Sequence, residues 1–218
     1  MKNQPMEDYL AAIYRTQLRE GKASTSEVAR ILGVTPASTS AMFKKLAEKG
    51  LVDYKGYAGA ALNPDGIREA LTLIRRHRLI ERFLTDMLGF TWDQVDDLAD
   101  EMEHAFPEAI IDRLEQRLGG PRTCPHGFAI PAADGTIPEI PTRPLDALKP
   151  GDRGTIAQVS EYDPELLIYL AQQHLVPGAE IKVLAVNPLD AVRTLAVDGN
   201  EVTVGERITA AIALQAEQ

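Results

Sequence analysis

Residues 24–50 read STSEVARILGVTPASTSAMFKKLAEKG, and two helices separated by a tight turn are legible in that run. Ser24-Thr25-Ser26-Glu27 is a capping-box pattern, a hydroxyl placed to accept from a free amide and a carboxylate placed to answer it. It opens a short helix with Val28, Ile31 and Leu32 inward. Gly33 supplies the turn. Thr35 caps the next helix, with Pro36 at its first position, where a missing N–H costs nothing. Thr39, Met42, Phe43 and Leu46 form its inner face, and Gly50 ends it. Upstream, Met6, Leu10, Ile13 and Tyr14 recur at the spacing of one helical face. Downstream, two extended pieces at 51–55 and 60–62, joined by Gly56-Tyr57-Ala58-Gly59, read as a small hairpin. Three helices with a tight turn between the last two, followed by a hairpin, form the winged helix-turn-helix pattern over residues 1–63.

The last of these helices turns Ala37, Ser38, Ala41, Lys44 and Lys45 away from its buried stripe. Small residues let a backbone sink into a major groove, and Ser38 and Ser40 can donate to phosphate or base edges. Lys44, Lys45 and Lys49, with Lys55 on the wing, are placed for phosphates, and the Thr35 end offers unpaired helix N–H groups. The competing reading is a small helical domain with a solvated lysine face. Charge distribution favours DNA. The chain's net charge is −9, but residues 1–60 carry nine Lys/Arg against six Asp/Glu, so the acidity lies in the rest. No arginine or glutamine faces the bases from this helix, so DNA shape would carry part of any specificity.

Length and composition are those of a globular protein with room for several small domains. No apolar run approaches a membrane span, the N-terminus MKNQPMEDYL lacks a signal peptide's apolar stretch, and the single cysteine, Cys124, suits a reducing cytoplasm. Asn63-Pro64 begins a long helix to about Leu88. Thr91 caps another to about Ala105, and Pro107 starts a third ending at Gly119-Gly120, giving a helical domain over 64–120. Seven prolines between 121 and 150 break regular structure, so 121–144 reads as a connector. Beyond it, over 145–218, strands at 155–159, 181–186, 193–197 and 202–204 surround one helix from Asp163 to His174, the pattern of a small β-barrel.

The segment 91–105, TWDQVDDLADEMEHA, projects Asp96, Asp100, Glu103 and His104 from one side of a helix. The preceding helix offers His77 and Glu81 one turn apart, and the first helix offers Asp8. Such a stripe is either a solvated acidic face or a divalent-metal site. Asp/Glu/His clusters also activate water in metal-dependent hydrolases, but no nucleophile motif, HExxH or phosphate-cradling glycine loop is present. Cys124-x-His126 invites a zinc reading; with one cysteine in the chain, a packed connector loop is the better account. His174 reads as a surface or capping residue.

The stretch His77-Arg78-Leu79-Ile80-Glu81-Arg82-Phe83-Leu84, with Glu103-His104 and Cys124-Pro125-His126-Gly127, closely resembles the diphtheria-toxin-repressor family of iron- and manganese-dependent regulators. Met6 to Tyr14 resembles the first helix of its manganese branch. From Leu145 the chain resembles the family's SH3-like, FeoA-type domain, with its Leu175-Val176-Pro177-Gly178 turn. The resemblance implies a mainly α chain with α+β parts: a winged helix-turn-helix, a helical dimerisation domain and an SH3-like small β-barrel. It implies a homodimer on double-stranded operator DNA, in the cytoplasm, repressing metal-uptake genes when loaded with Mn²⁺ or Fe²⁺. By position, Asp8, Asp100, Glu103 and His104 match the metal site that controls DNA binding. His77, Glu81 and Asp96 match an ancillary site or half of a two-metal cluster, and Glu161 matches a ligand from the SH3-like domain. Iron-type members carry Met and Cys where this chain has Asp8 and Asp100, and with no sulfur in that set Mn²⁺ is favoured over Fe²⁺. Manganese members carry Glu where it has Ala11, and the family's base-reading Gln corresponds to Ala41.

Overall fold

The computed structural model describes residues 5–56, 59–160, 163–187 and 190–216. The chain divides into two compact units, residues 1–76 with 131–136, and residues 77–130 with 137–218.

In the first unit, α1 (Met6–Glu20) buries Tyr9, Leu10, Ala12 and Ile13, and Thr16 folds its hydroxyl back onto the carbonyl of Ala12. Ser24 caps α2 (Thr25–Ile31) by accepting from the amide of Glu27 at 3.1 Å. The reciprocal half of the capping box does not form, because the Glu27 carboxylate turns to Arg30 and Arg19 instead. Gly33, at φ +62°, makes the turn. Thr35 caps α3 (Pro36–Glu48) by accepting from the amide of Ser38. Strands β1 (Val52–Tyr54) and β2 (Ala60–Leu62) pair antiparallel as the wing, with Asp53 opposite Ala61. Tyr57 and Ala58, assigned to the turn between them, lie outside the described residues. Phe43 and Leu46 of α3 meet Leu10, Ile13 and Val28 in one apolar cluster; each such side chain contributes about 1.5–3 kcal/mol. The winged helix-turn-helix is thus built around α3, whose opposite face is left to solvent.

Helix α4 (Pro64–Leu88) is continuous, and its residues from His77 onward belong to the second unit. There Leu79, Ile80 and Leu84 pack against Val95 and Ala99 of α5 (Val95–Glu103), Ile111 of α6 (Glu108–Arg117), and Ile130. Helix α5 begins at Val95, not at Thr91: the amide of Gln94 donates to the carbonyl of Thr91 at 2.9 Å and closes 92–94 as a turn. The connector is not wholly irregular. Residues 122–130 close on themselves, Ile130 N donating to Arg122 O and Cys124 N to Phe128 O, and β3 (Thr142–Pro144) is an edge strand.

The remaining strands are β4 (Arg153–Val159), β5 (Glu180–Val186), β6 (Arg193–Val197), β7 (Asn200–Val204) and β8 (Ile212–Gln215). With β3 they form an antiparallel SH3-like sheet in the order β3-β8-β4-β5-β6-β7. Register shifts at Ile156/Gln158 and Val183/Ala185 let it bend. Helices α7 (Pro164–Gln172) and α8 (Glu206–Ala211) accompany it. Ile156, Val159, Leu167, Leu170, Val183, Leu195 and Leu214 lie in its core. Neither α8 nor β8 was expected from the sequence pattern. Among the described residues no helix is long and apolar enough to cross a membrane.

Candidate metal centre

The acidic stripe of α5 faces the histidine of α4. Because α5 buries Val95 and Ala99 against α4, the residues one step round the helix, Asp96, Asp100 and Glu103, are carried to His77. His77 is buried. Its Nδ1 lies 2.9 Å from Glu103 Oε2 and 3.2 Å from Asp100 Oδ1, and its Nε2 lies 3.2 Å from Asp96 Oδ1 and 3.7 Å from Glu81 Oε1. Burial works against a charged ring here, but the hydrogen bonds that the ring donates to Asp100, Asp96, Glu103 and Glu81 outweigh it and hold the His77 pKa well above its ordinary value.

A second cluster sits one turn further along α4. Glu81 is buried with its Oε1 3.0 Å from Nδ1 of His126, and Cys124 Sγ lies 4.0 Å from the same nitrogen. Burial opposes both charges, yet the cysteine sulfur and the Glu81 carboxylate push His126 up to about 10. Burial likewise raises Glu81, and the two histidines overcome it and bring its pKa far below the carboxylate range. Cys124 and His126 come from the connector, and both are packed in its closed loop against a carboxylate 43 and 45 positions away. The sequence signals for this cluster were a lone Cys two residues before a His and the family resemblance of Cys124-Pro125-His126-Gly127.

Ligand atoms from Glu81, Cys124 and His126 lie within 4.8 Å of one another, as do those of His77, Glu81 and Asp96, and of His77, Asp100 and Glu103. Donors bonded to one ion at about 2.0–2.3 Å are separated by such spans. The residues therefore fit a divalent metal: the protons on the histidines hold places that an ion with imidazole, carboxylate and thiolate ligands can take. A sulfur donor in one cluster limits the argument that sulfur is absent, which holds only for the Asp8, Asp100, Glu103 and His104 set.

Of the remaining expected ligands, His104 follows α5 and is exposed, its Nε2 3.4 Å from Glu103 Oε1. Asp8 is in the first turn of α1, in the other unit. Glu161 lies outside the described residues. On the head, Thr35, Ala37, Ala41, Lys44, Lys45, Lys49 and Lys55 are exposed, and Ser38 and Ser40 are partly exposed. One of the N–H groups at the start of α3 is already taken, that of Ser38 by the Thr35 hydroxyl. His174, at φ +59°, is exposed 3.3 Å from Asp198.

The metal-free cluster has a definite pH signature. The His126 proton is held in the folded state up to about 10 and in the unfolded chain only to about 6.5. Its stabilisation is complete below pH 6.5 and is lost as pH rises through the window to 10. The unfolding temperature of metal-free protein is expected to fall over that window, and to fall less in His126→Gln. Identical slopes in the two proteins would show that this proton is not held.

Comparison with known proteins agrees with this architecture. Residues 2–60 match the iron dependent repressor N-terminal DNA binding domain, residues 63–132 the iron dependent repressor metal binding and dimerisation domain, and residues 143–216 the FeoA domain. The HTH-type transcriptional regulator MntR of Lysinibacillus sphaericus is 33% identical over 114 residues, 52% of this chain and 81% of that protein. The iron-dependent repressor IdeR of Mycobacterium leprae is 27% identical over 189 residues, 81% of this chain and 82% of its own. A solved manganese-dependent transcriptional repressor in complex with manganese superposes with a TM-score of 0.90 at 37% identity, covering 98% of this chain and 100% of that one.

Proposed function

Since the chain belongs to the iron-dependent repressor family of metal-dependent transcriptional regulators, we propose that it is a divalent-metal-activated repressor that binds operator DNA as a homodimer, with Mn²⁺ the favoured ion and Fe²⁺ the alternative. The observation that carries the reading is the convergence of buried His77, Glu81, Glu103, Cys124 and His126 with the more exposed Asp96 and Asp100, within the stretch matching the family's metal-binding domain. The hydrolase alternative falls, because the family consists of regulators rather than enzymes.

Asp8, Asp100, Glu103 and His104 supply the controlling site in this reading. Their carboxylates repel one another when no cation is shared, so holding α1 against the acidic stripe of α5 depends on a bound divalent ion. Hard carboxylates favour Mn²⁺ there, while geometry and availability decide against tighter-binding metals. Held in that state, the two heads of a dimer present their α3 helices to successive half-sites, with Lys44, Lys45, Lys49 and Lys55 on phosphates and Ala37, Ser38, Ser40 and Ala41 toward the groove floor. By its family position, Glu161 of the FeoA-type domain supplies an additional ligand in this reading.

A gel-shift titration of DNA upstream of the chain's own gene tests this. Retardation is expected with Mn²⁺ or Fe²⁺ and not after chelation, with Mn²⁺ the more effective at matched free concentration. Equal retardation by chelated and loaded protein sinks the proposal.

A further inference from the structure

Trp92 is used by none of the ligand assignments, yet it touches three parts of the second unit at once. It lies in the turn leading into α5, the helix that carries Asp96, Asp100 and Glu103. Its main-chain carbonyl accepts from Nε2 of His126 at 2.9 Å. Its indole stacks on the His126 ring, the centroids 5.7 Å apart and the planes at 24°. The same side chain packs against the apolar core of the β-domain that holds Ile156, Leu167 and Leu195. His126 is itself fastened to that domain, because its carbonyl accepts from Val159 N of β4 at 3.0 Å.

Which nitrogen of a histidine serves as a metal ligand is set by the hydrogen bond that the other nitrogen makes. Here the Trp92 carbonyl keeps the proton on Nε2 and leaves Nδ1 facing Glu81 and Cys124. We propose that Trp92 is a positioning residue that couples the FeoA-type domain to the Glu81–Cys124–His126 metal centre, its carbonyl selecting the donor nitrogen of His126 and its indole fastening that imidazole to the domain's core. The coupling is reciprocal: an ion at the centre steadies the β-domain, and a loosened β-domain weakens the ion's grip. This rests on reading that cluster as a metal centre.

The test uses the full chain and Cd²⁺, whose bond to the Cys124 thiolate gives an ultraviolet charge-transfer band. Trp92→Ala, which keeps the carbonyl but removes the indole from His126, is expected to weaken Cd²⁺ binding about 10-fold, the lower end of the range for outer-shell changes, while Trp92→Phe, which keeps a ring on His126, restores most of it. In wild type, Cd²⁺ is expected to slow hydrogen exchange in β4 and to change the emission of Trp92, the chain's single tryptophan. Both responses should vanish in Cys124→Ser. No charge-transfer band in wild type overturns the metal centre and with it the coupling. A wild-type band with neither emission nor β4 exchange responding overturns the coupling alone, and so does unaltered affinity in Trp92→Ala. Should Trp92→Ala fail to fold, the wild-type emission and exchange measurements decide.

Discussion

Replacement of Glu81 by alanine is expected to remove one bound ion per manganese-saturated chain and to destabilise the metal-free protein by about 3–5 kcal/mol, the cost of deleting one partner of a buried charge pair. The reason is its place between two clusters. One oxygen, Oε1, lies 3.0 Å from His126 and 3.7 Å from His77, and the side chain is almost fully buried. Removing it leaves His126 facing only the Cys124 sulfur with no anion to hold its proton, while His77 keeps Asp96, Asp100 and Glu103. For a chain of this size the loss corresponds to roughly 6–20 °C in unfolding temperature. Glu81→Gln separates the two effects: it keeps the volume and a hydrogen bond, so it unfolds closer to wild type, but it loses the ion equally. Calorimetry and elemental analysis of both variants make the check, and full metal content in Glu81→Ala rules this carboxylate out as a ligand.

Gly127→Ala is expected to cost about 2–5 kcal/mol, from left-handed backbone strain together with overpacking. Gly127 sits at φ +89°, and a Cβ there overlaps the carbonyl oxygen of Ala157 and comes within 2.9 Å of Gln158 Cα. Those are backbone atoms of β4 and cannot turn aside. The loop must lift, breaking the bond from Val159 N to His126 O and taking Cys124 and His126 from Glu81. Gly135→Ala is the control. Its φ is +85°, but the nearest atom a Cβ would meet is Arg68 Cγ at 4.0 Å, so only the strain of about 1–2 kcal/mol remains. Unfolding temperatures and Cd²⁺ titrations of the two variants are to be compared. If they behave alike, the close approach to β4 is not what holds the loop.

The head was legible because its signals are local. Ser24 and Thr35 cap helices within three residues of themselves, and Phe43 and Leu46 mark a buried face by spacing alone. The stripe of Asp96, Asp100 and Glu103 was legible for the same reason, being a property of one helix. Elements without a local signal were missed. Residues 206–215 hold no turn residue at the point where helix becomes strand, and Ile212–Gln215 is a strand because β3 and β4 offer it partners on both sides. The start of α5 moved to Val95 because the bond from Gln94 N to Thr91 O closes 92–94 as a turn ahead of the helix.

Helix spacing and capping chemistry, which act over a few residues, were enough to establish the reading head, the long α4 and the acidic stripe from the amino-acid order. Where Cys124 and His126 go was decided only by tertiary packing. Their partner Glu81 is more than forty residues away, and the contact depends on a loop seated on β4 at Gly127 and on Trp92. A ligand set is an arrangement in space, and no local periodicity encodes a meeting between a helix, a closed loop and the sheet behind it.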